Sequence, residues 1–341
     1  MRVFLLAALL AAPALGIAAG PARLIFDTDI GNDVDDALAL AMIHAFESRG
    51  EARLLAVTVT KDSKSAAPFV DLVNTFYGRP SIPIGVVKNG KTPDDTPMIR
   101  IPSDRRTASG AYVYPHRLTN GADAPDAVAV LRRVLAVEPD GSIIVVQVGF
   151  STNLAQLLDS PADAASPLPG AELVARKVQL LCAMAGHFPT GDPEFNVRTD
   201  VTSARKVFAQ WPSPIVFSGF EIGEALLFPG LAIERNFSWV ADHPVAEAYR
   251  NYRPMPYDRP TWDLTAVLYA VRPDYGYFGL SPEGRVSVED NGQTAFHEES
   301  GGGQRYLLLE DAQKARIVEA MILLASQPRD SQPAGSSSPG H

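Results

Sequence analysis

The chain has 341 residues and a formal net charge of −9, with a sequence pI near 5.2, so electrostatic capture of nucleic acid is disfavoured. Its single cysteine, Cys182, excludes an internal disulfide. Within Leu180-Leu181-Cys182-Ala183-Met184 it reads as a small buried hydrophobe.

The first twenty residues form a leader. Arg2 is a minimal positive start, Val3–Leu10 is apolar, and Ala14-Leu15-Gly16 or Ala18-Ala19-Gly20 supplies small residues for cleavage. The apolar stretch is too short for a membrane span, and no cysteine lies near it for a lipid anchor. Export to the periplasm or the medium is the expectation, with no stable membrane span after processing. About 300 residues then remain, enough for one large domain over 21–325 with its own core.

Apolar β-type runs alternate with helical patterns from there on. Leu24–Phe26 reads as a strand and Val34–Arg49 as a helix. Leu54–Thr60 is a second strand, Ala66–Tyr77 its return helix and Ile82–Val87 a short third strand. The segment Lys88–Ala122 has little periodicity and much Arg, Pro and Gly; it is either an active-site loop or a surface excursion. Ala124–Ala136 is helical and leads into the strand Ser142–Val148. Ser151–Leu158 restarts a helix, Val178–Met184 is a buried strand, Ser203–Gln210 a helix and Pro214–Ser218 a strand. Val245–Tyr252 and Asp263–Tyr269 read as helices, and Val286–Val288 with Thr294–Phe296 as a hairpin turning at Asn291-Gly292. Asp311–Ala325 closes the fold as an amphipathic helix, and Ser326–His341, rich in Ser, Pro and Gly, reads as a disordered tail. This alternation predicts an open, mainly parallel α/β sheet with helices on both faces.

Chemistry concentrates directly behind the first strand. Asp27-Thr28-Asp29-Ile30-Gly31-Asn32-Asp33-Val34-Asp35-Asp36 places five carboxylates within ten positions, between an apolar run and a helical pattern. An acidic helix cap needs one or two such residues. Five repel one another unless a cation compensates them, and a hard divalent metal with oxygen ligands is the natural partner. The C-terminal edge of a parallel strand is also where open α/β sheets place ligands.

Asp27-Thr28-Asp29-Ile30-Gly31 followed by Asp35-Asp36-Ala37 resembles the N-terminal signature of the inosine-uridine preferring nucleoside hydrolases, DxDxGxDDAxA, with two extra residues between the glycine and the paired aspartates. The resemblance implies an open α/β fold and a bound calcium that holds ribose hydroxyls and the attacking water. Asp29 would then be calcium ligand and general base, Asp36 a bidentate ligand, and Asp35 an acceptor for a ribose hydroxyl. The insertion makes Asp33 a rival for the role of Asp35, and Asp27 would orient the cluster.

Later segments follow the family's order. Val148-Gly149-Phe150-Ser151-Thr152-Asn153 is similar to its GPLTN segment, which makes the Thr152 carbonyl a calcium ligand. Glu194-Phe195-Asn196 matches AEFN, with Glu and Asn on ribose hydroxyls and Phe beside the sugar. Thr261-Trp262-Asp263 matches its His-Asp pair, so Asp263 would close the calcium shell, whereas Trp262 stands in place of the histidine. Indole cannot act as a general acid; it can stack on a base. His116 and His187 are candidate replacement acids. Thr60-Lys61-Asp62 stands where the family has a Gly-Asn turn; Lys61 near the ribose would favour an anionic substrate, but it reads as a solvated loop lysine.

The resemblance implies calcium-dependent hydrolysis of a ribonucleoside or related riboside, with a homo-oligomer left open. Two alternatives stand beside it. One is a weakly catalytic or non-catalytic exported ribose or nucleoside binder. The other is a dehalogenase-like phosphatase that uses Asp27 as nucleophile, from which Ile30-Gly31-Asn32 departs.

Overall fold

The computed structural model describes residues 20–329. The leader is therefore outside the described residues except for Gly20, and so is the tail beyond Arg329. Twelve strands form among the described residues: β1 (Ala22–Thr28), β2 (Ala52–Val59), β3 (Ile84–Val86), β4 (Ile143–Gln147), β5 (Val178–Met184), β6 (Ile215–Ser218), β7 (Leu227–Phe228), β8 (Arg259–Pro260), β9 (Gly279–Leu280), β10 (Gly284–Val288), β11 (Thr294–Glu298) and β12 (Gln304–Leu308). Ten of them make one sheet in the order β11-β10-β12-β6-β5-β4-β1-β2-β3, with β9 paired to β12; β7 and β8 pair separately. From β3 to β12 along that order, omitting the β10–β11 edge, neighbouring strands are parallel. Strands β9, β10 and β11 add the antiparallel edge.

Strand alternation builds two cores. On β1, Leu24 and Phe26 enter one apolar cluster while Ile25 enters the other. On β5, Cys182 and Met184 face the first cluster and Leu181 and Ala183 the second. A period of two sends successive side chains to opposite faces, so a strand covered on both sides must be apolar throughout. Helices Asp35–Ser48, Trp262–Val271 and Asp311–Ala325 cover the first face, and helices Ala127–Val137, Thr152–Asp159, Gly170–Lys177 and Val201–Gln210 the second. The helix Asp35–Ser48 is buried continuously from Asp35 to Phe46, so it has no polar stripe. Among the described residues no helix is long and apolar enough to cross a membrane.

The structure extends the sequence reading at several points. Strand β1 continues to Thr28, so Asp27 lies within the sheet. The aperiodic segment after Lys88 contains a helix, Pro97–Asp104, whose Pro102 hides its period. Strand β12 was not foreseen; it inserts parallel to β6 and carries the expected hairpin β10–β11 on its far side. Three of the first four positions of the expected tail hydrogen-bond to the body. Trp239 Nε1 donates to the Ser326 carbonyl at 3.1 Å, Arg49 Nε to Gln327 Oε1 at 2.6 Å and Arg329 Nη1 to the Phe76 carbonyl at 3.0 Å.

Strand order reverses between β1 and β4, since the chain leaves β1 toward β2 and β3 and returns to β4 on its other side. Such a reversal opens a crevice at the C-terminal strand ends. Here the two strand ends touch closely: Val148 N donates to the Asp27 carbonyl at 2.7 Å. A Cβ at Gly149 would lie 2.5 Å from Asp29 N and from Thr60 Oγ1. Gly149 is thus required for its lack of volume. Gly149→Ala is expected to cost about 1–3 kcal/mol by overpacking, measured as a lower urea midpoint at unchanged m-value.

Candidate active site

The turn from β1 into the helix Asp35–Ser48 distributes the acids by strand and helix geometry. Asp27 and Thr28, successive on β1, face opposite sides. Asp27 Oδ1 accepts from Thr58 Oγ1 at 2.6 Å and from Asn153 Nδ2 at 2.8 Å. Thr28 faces the helix, where its hydroxyl donates to Asp36 Oδ1. Gly31, at φ 111°, turns the chain back so that Asn32 Nδ2 donates to Asp29 Oδ2 at 2.7 Å.

Asp29, Asp33, Asp35 and Asp263 form the acidic wall of a cavity of about 120 Å³ at the β1–β4 reversal. Carboxylate oxygens of Asp33, Asp35 and Asp263 lie within 4.8 Å of one another. Arg259, on β8 and 4 % exposed, clamps two of these acids. Its Nη2 donates to Asp33 Oδ2 at 2.5 Å and to Asp35 Oδ1 at 2.9 Å, and its Nε to Asp35 Oδ1 at 3.1 Å. Asp263 N donates to Asp35 Oδ2 at 3.3 Å.

Burial is the main cause that lifts these carboxyls. It pushes Asp29 and Asp35 up to about 7. Asp36 and Asp263 are held well above the usual range by burial first and then by the neighbouring acids. Burial also raises Asp33, against the opposing charge of Arg259. Asp36 Oδ2 and Asp263 Oδ2 are buried without a hydrogen-bond partner. An all-carboxylate donor set with bare, buried oxygens fits a hard divalent cation, and the Asp33–Asp35–Asp263 triad could hold a metal ion.

The other walls are apolar and amide-bearing. Glu194 caps the short helix Phe195–Thr199, accepting from Asn196 N at 2.7 Å and Val197 N at 3.2 Å, and also from Gly186 N at 3.1 Å. Burial lifts its carboxyl to about 7. Asn196 Nδ2 donates to the Val148 carbonyl at 2.8 Å and the Met184 carbonyl at 3.2 Å, tying the ends of β4 and β5 together. Trp262 opens the helix Trp262–Val271, stacks on Phe220 at 5.3 Å between ring centroids, and donates from Nε1 to the Phe220 carbonyl at 2.9 Å. Glu194, Phe195, Asn196, Phe220 and Trp262 all line the cavity.

Of the residues expected at the site, the fold brings Asp29, Asp33, Asp35, Asp263, Glu194, Phe195, Asn196 and Trp262 to one cavity. Asp36 lies beneath it on Thr28. Thr152 is not on its wall; its hydroxyl donates to Asp200 Oδ2 at 2.6 Å. Asp27 is fully buried behind the cluster. No histidine lines the cavity among the described residues. His116 Nδ1 sits on the Tyr114 carbonyl at 2.7 Å, and His187 packs behind Phe220 at 5.5 Å. Lys61 corrects the sequence reading: it is buried, not solvated. Arg259 was missed, because its acidic partners lie more than two hundred residues earlier in the chain. An arginine three positions before Trp262 beside an uncompensated acidic motif was the available signal.

A family model described as inosine-uridine preferring nucleoside hydrolase matches residues 24–322. No curated protein sequence matches the chain. Similar solved structures include a plant nucleoside hydrolase, PpNRh1, at 19 % identity and TM-score 0.66, covering 90 % of this chain and 100 % of that one. The inosine-uridine preferring nucleoside hydrolase from Bacillus anthracis aligns at 18 % identity and TM-score 0.65, covering 89 % and 99 %. The type III effector protein XopQ, solved in complex with adenosine diphosphate ribose, aligns at 17 % identity and TM-score 0.62, covering 90 % and 92 %. At these identities the structures carry the fold alone. The family match spans most of the sequence, and the chain belongs to the inosine-uridine preferring nucleoside hydrolase family.

Proposed function

We propose that this protein is an exported, calcium-dependent N-glycosidase that cleaves a ribonucleoside or related riboside to ribose and free base. The observation that carries this reading is one cavity in which four carboxylates face Glu194 and Asn196 across an aromatic wall of Phe220 and Trp262. Export rests on the apolar leader alone.

Breaking an N-ribosyl bond builds positive charge on the sugar, and a net-negative cavity stabilises that charge. By the family resemblance Asp29, Asp36, the Thr152 carbonyl and Asp263 would hold calcium; Asp33 and Asp35, whose oxygens cluster with Asp263, stand beside them with Arg259 as their counter-charge. Calcium, when bound, supplies the charge that holds these acids together and acidifies water in the cavity. Asp29 takes the proton of the attacking water. Asp35, Glu194 and Asn196 contact the ribose hydroxyls, and Phe195 packs beside the sugar. Asp27 orients the cluster through Thr58 and Asn153. Its burial behind Asp29 argues against the phosphatase alternative, which needs Asp27 open to substrate.

The second reading, a riboside-binding protein with little turnover, is favoured by one feature. Trp262 occupies the histidine position, and its only N–H is spent on the Phe220 carbonyl. The related XopQ was solved with adenosine diphosphate ribose bound, a compound that contains a riboside. Turnover separates the two readings: a binder saturates with ribonucleoside and releases no ribose.

Protein purified without chelator should carry about one calcium per chain by metal analysis, as an oxygen-rich site implies. In the absence of metal, burial holds Asp29 and Asp35 near 7, well above the ordinary carboxyl range. The folded chain therefore binds protons more tightly than the unfolded chain, gains stability as pH falls from about 7 toward 4, and loses it as pH rises through 7. Protons compete with the ion in that window. The rise in Tm produced by calcium should accordingly be larger at pH 8 than at pH 5.

Asp29→Asn should lower kcat on the order of 10²–10⁴-fold while changing ribose affinity far less, as read by steady-state kinetics and ribose titration. A nitrophenyl riboside, whose leaving group needs no protonation, should be cleaved much faster than inosine or uridine. Trp262→His should raise the rate on the natural nucleosides, since imidazolium can donate a proton, with an optimum on the acid side of neutrality because the nearby Arg259 cation disfavours the charged ring. Equal rates on the two substrate classes would place a proton donor elsewhere.

A further inference from the structure

Lys61 stands just beyond the C-terminal end of β2 and is 2 % exposed. Its ammonium donates to Asn32 Oδ1 at 2.9 Å and to the Thr92 carbonyl at 2.8 Å. Asn32 passes the contact on, with Nδ2 donating to Asp29 Oδ2 at 2.7 Å and to Thr92 Oγ1 at 3.4 Å. The order of this chain follows from chemistry. An ammonium has donors only, so it can accept no proton from an amide and must face the Asn32 oxygen. The amide NH₂ is then committed to Asp29, and an inverted Asn32 would lose both bonds.

The backbone is shaped for this contact. A Cβ at Gly31 would lie 3.2 Å from Lys61 Cδ, 3.3 Å from Lys61 Cε and 2.5 Å from Ile99 Cδ1, at a φ of 111°. The glycine of the acidic motif therefore leaves room for the lysine stem as well as turning the chain. Thr96 Oγ1 donates to the Gly31 carbonyl at 2.9 Å, and Asp95 accepts from Ser65 N and Oγ at 2.9 Å each. The segment 92–96 is thus fastened over the same turn.

We propose that Lys61 and Asn32 are positioning residues that act as one chain to hold the Asp29 carboxylate in a single rotamer, pinning Oδ2 and leaving the other oxygen for the cavity. The inference rests on the reading of Asp29 as proton acceptor and calcium ligand. It goes beyond that reading by assigning a task to Asn32, directly after Gly31, and to a lysine just beyond the end of a neighbouring strand. A carboxylate that must face both an ion and a water loses effectiveness if it samples several rotamers, and supporting contacts of this kind are worth about 10–100-fold in metal affinity or activity.

The test is a double-mutant cycle on full-length protein with Lys61→Met, Asn32→Ala and the double variant. Calcium Kd is measured by calorimetry on metal-depleted protein, and kcat and KM on a nitrophenyl riboside. Each single variant should lower kcat about tenfold or more, leave KM within about threefold, and weaken calcium binding. The double variant should be no worse than the poorer single one, because the two residues act through one contact. Losses that multiply in the double variant, or single variants that match the parent, would overturn the positioning role while leaving Asp29 as the base. If Lys61→Met does not fold, Asn32→Ala, at a partly exposed position, decides on kcat and calcium Kd alone. A parent protein that neither takes up calcium nor releases ribose would overturn the reading of the site, and this role with it.

Discussion

Repulsion among buried carboxylates is the constraint around which the rest of the structure is arranged. Two unit charges about 5 Å apart interact by about 3 kcal/mol at an effective dielectric of about 20. Asp29, Asp33, Asp35, Asp36 and Asp263 all sit in one another's fields. Four of them have been given a positive or donor group by the fold. Arg259 serves Asp33 and Asp35, the Thr28 hydroxyl serves Asp36, the Asn32 amide serves Asp29, and the Asp263 amide serves Asp35. The oxygens left bare on Asp36 and Asp263 mark where the internal supply of donors ends.

That supply depends on topology. The reversal of strand order between β1 and β4 is the only place where β1 can present Asp29 beside a helix start from the opposite direction, Val148–Asn153. Period-two alternation then sorts neighbours in sequence into different tasks. Asp27 goes to one face of the sheet, where Thr58 and Asn153 hold it; Thr28 goes to the other, where it meets the helix that carries Asp36. The same alternation removes Asp27 from the cavity, although in sequence it looks equivalent to Asp29. Gly149 lets the two strand ends approach, and the segment after β5 adds Glu194 and Asn196 from the far side.

Much of this was legible in the sequence, and the physical reason is locality. The parallel sheet follows from apolar runs of strand length alternating with helical periods, and the acidic motif lies within ten consecutive positions. What was not legible depends on long-range pairing. Arg259 meets Asp35 from 224 positions away, and only its place three positions before Trp262 hinted at the partner. Lys61 read as a solvated loop residue because burial of its stem depends on Gly31 and Ile99, which fold over it from other segments. Strand β12 follows a Gly-rich turn and joins β6 across nearly ninety positions. The helix Pro97–Asp104 was hidden by an internal proline.

Trp262 is held by several of its neighbours at once. A histidine there would present a titratable nitrogen next to Arg259, whose guanidinium carbon lies 4.8 Å from the Trp262 ring centroid. A cation so close disfavours a charged imidazole. Indole carries no such penalty: its face attracts the guanidinium, its edge hydrogen bonds to Phe220, and Phe220 stacks against it. The close packing extends to Gly223, where a Cβ would meet Trp262 Cδ1 at 2.3 Å. The arginine that neutralises the two acids and the tryptophan that lines the cavity are therefore one unit. The charge balance of the acidic wall and the packing of its aromatic neighbours have the same structural origin.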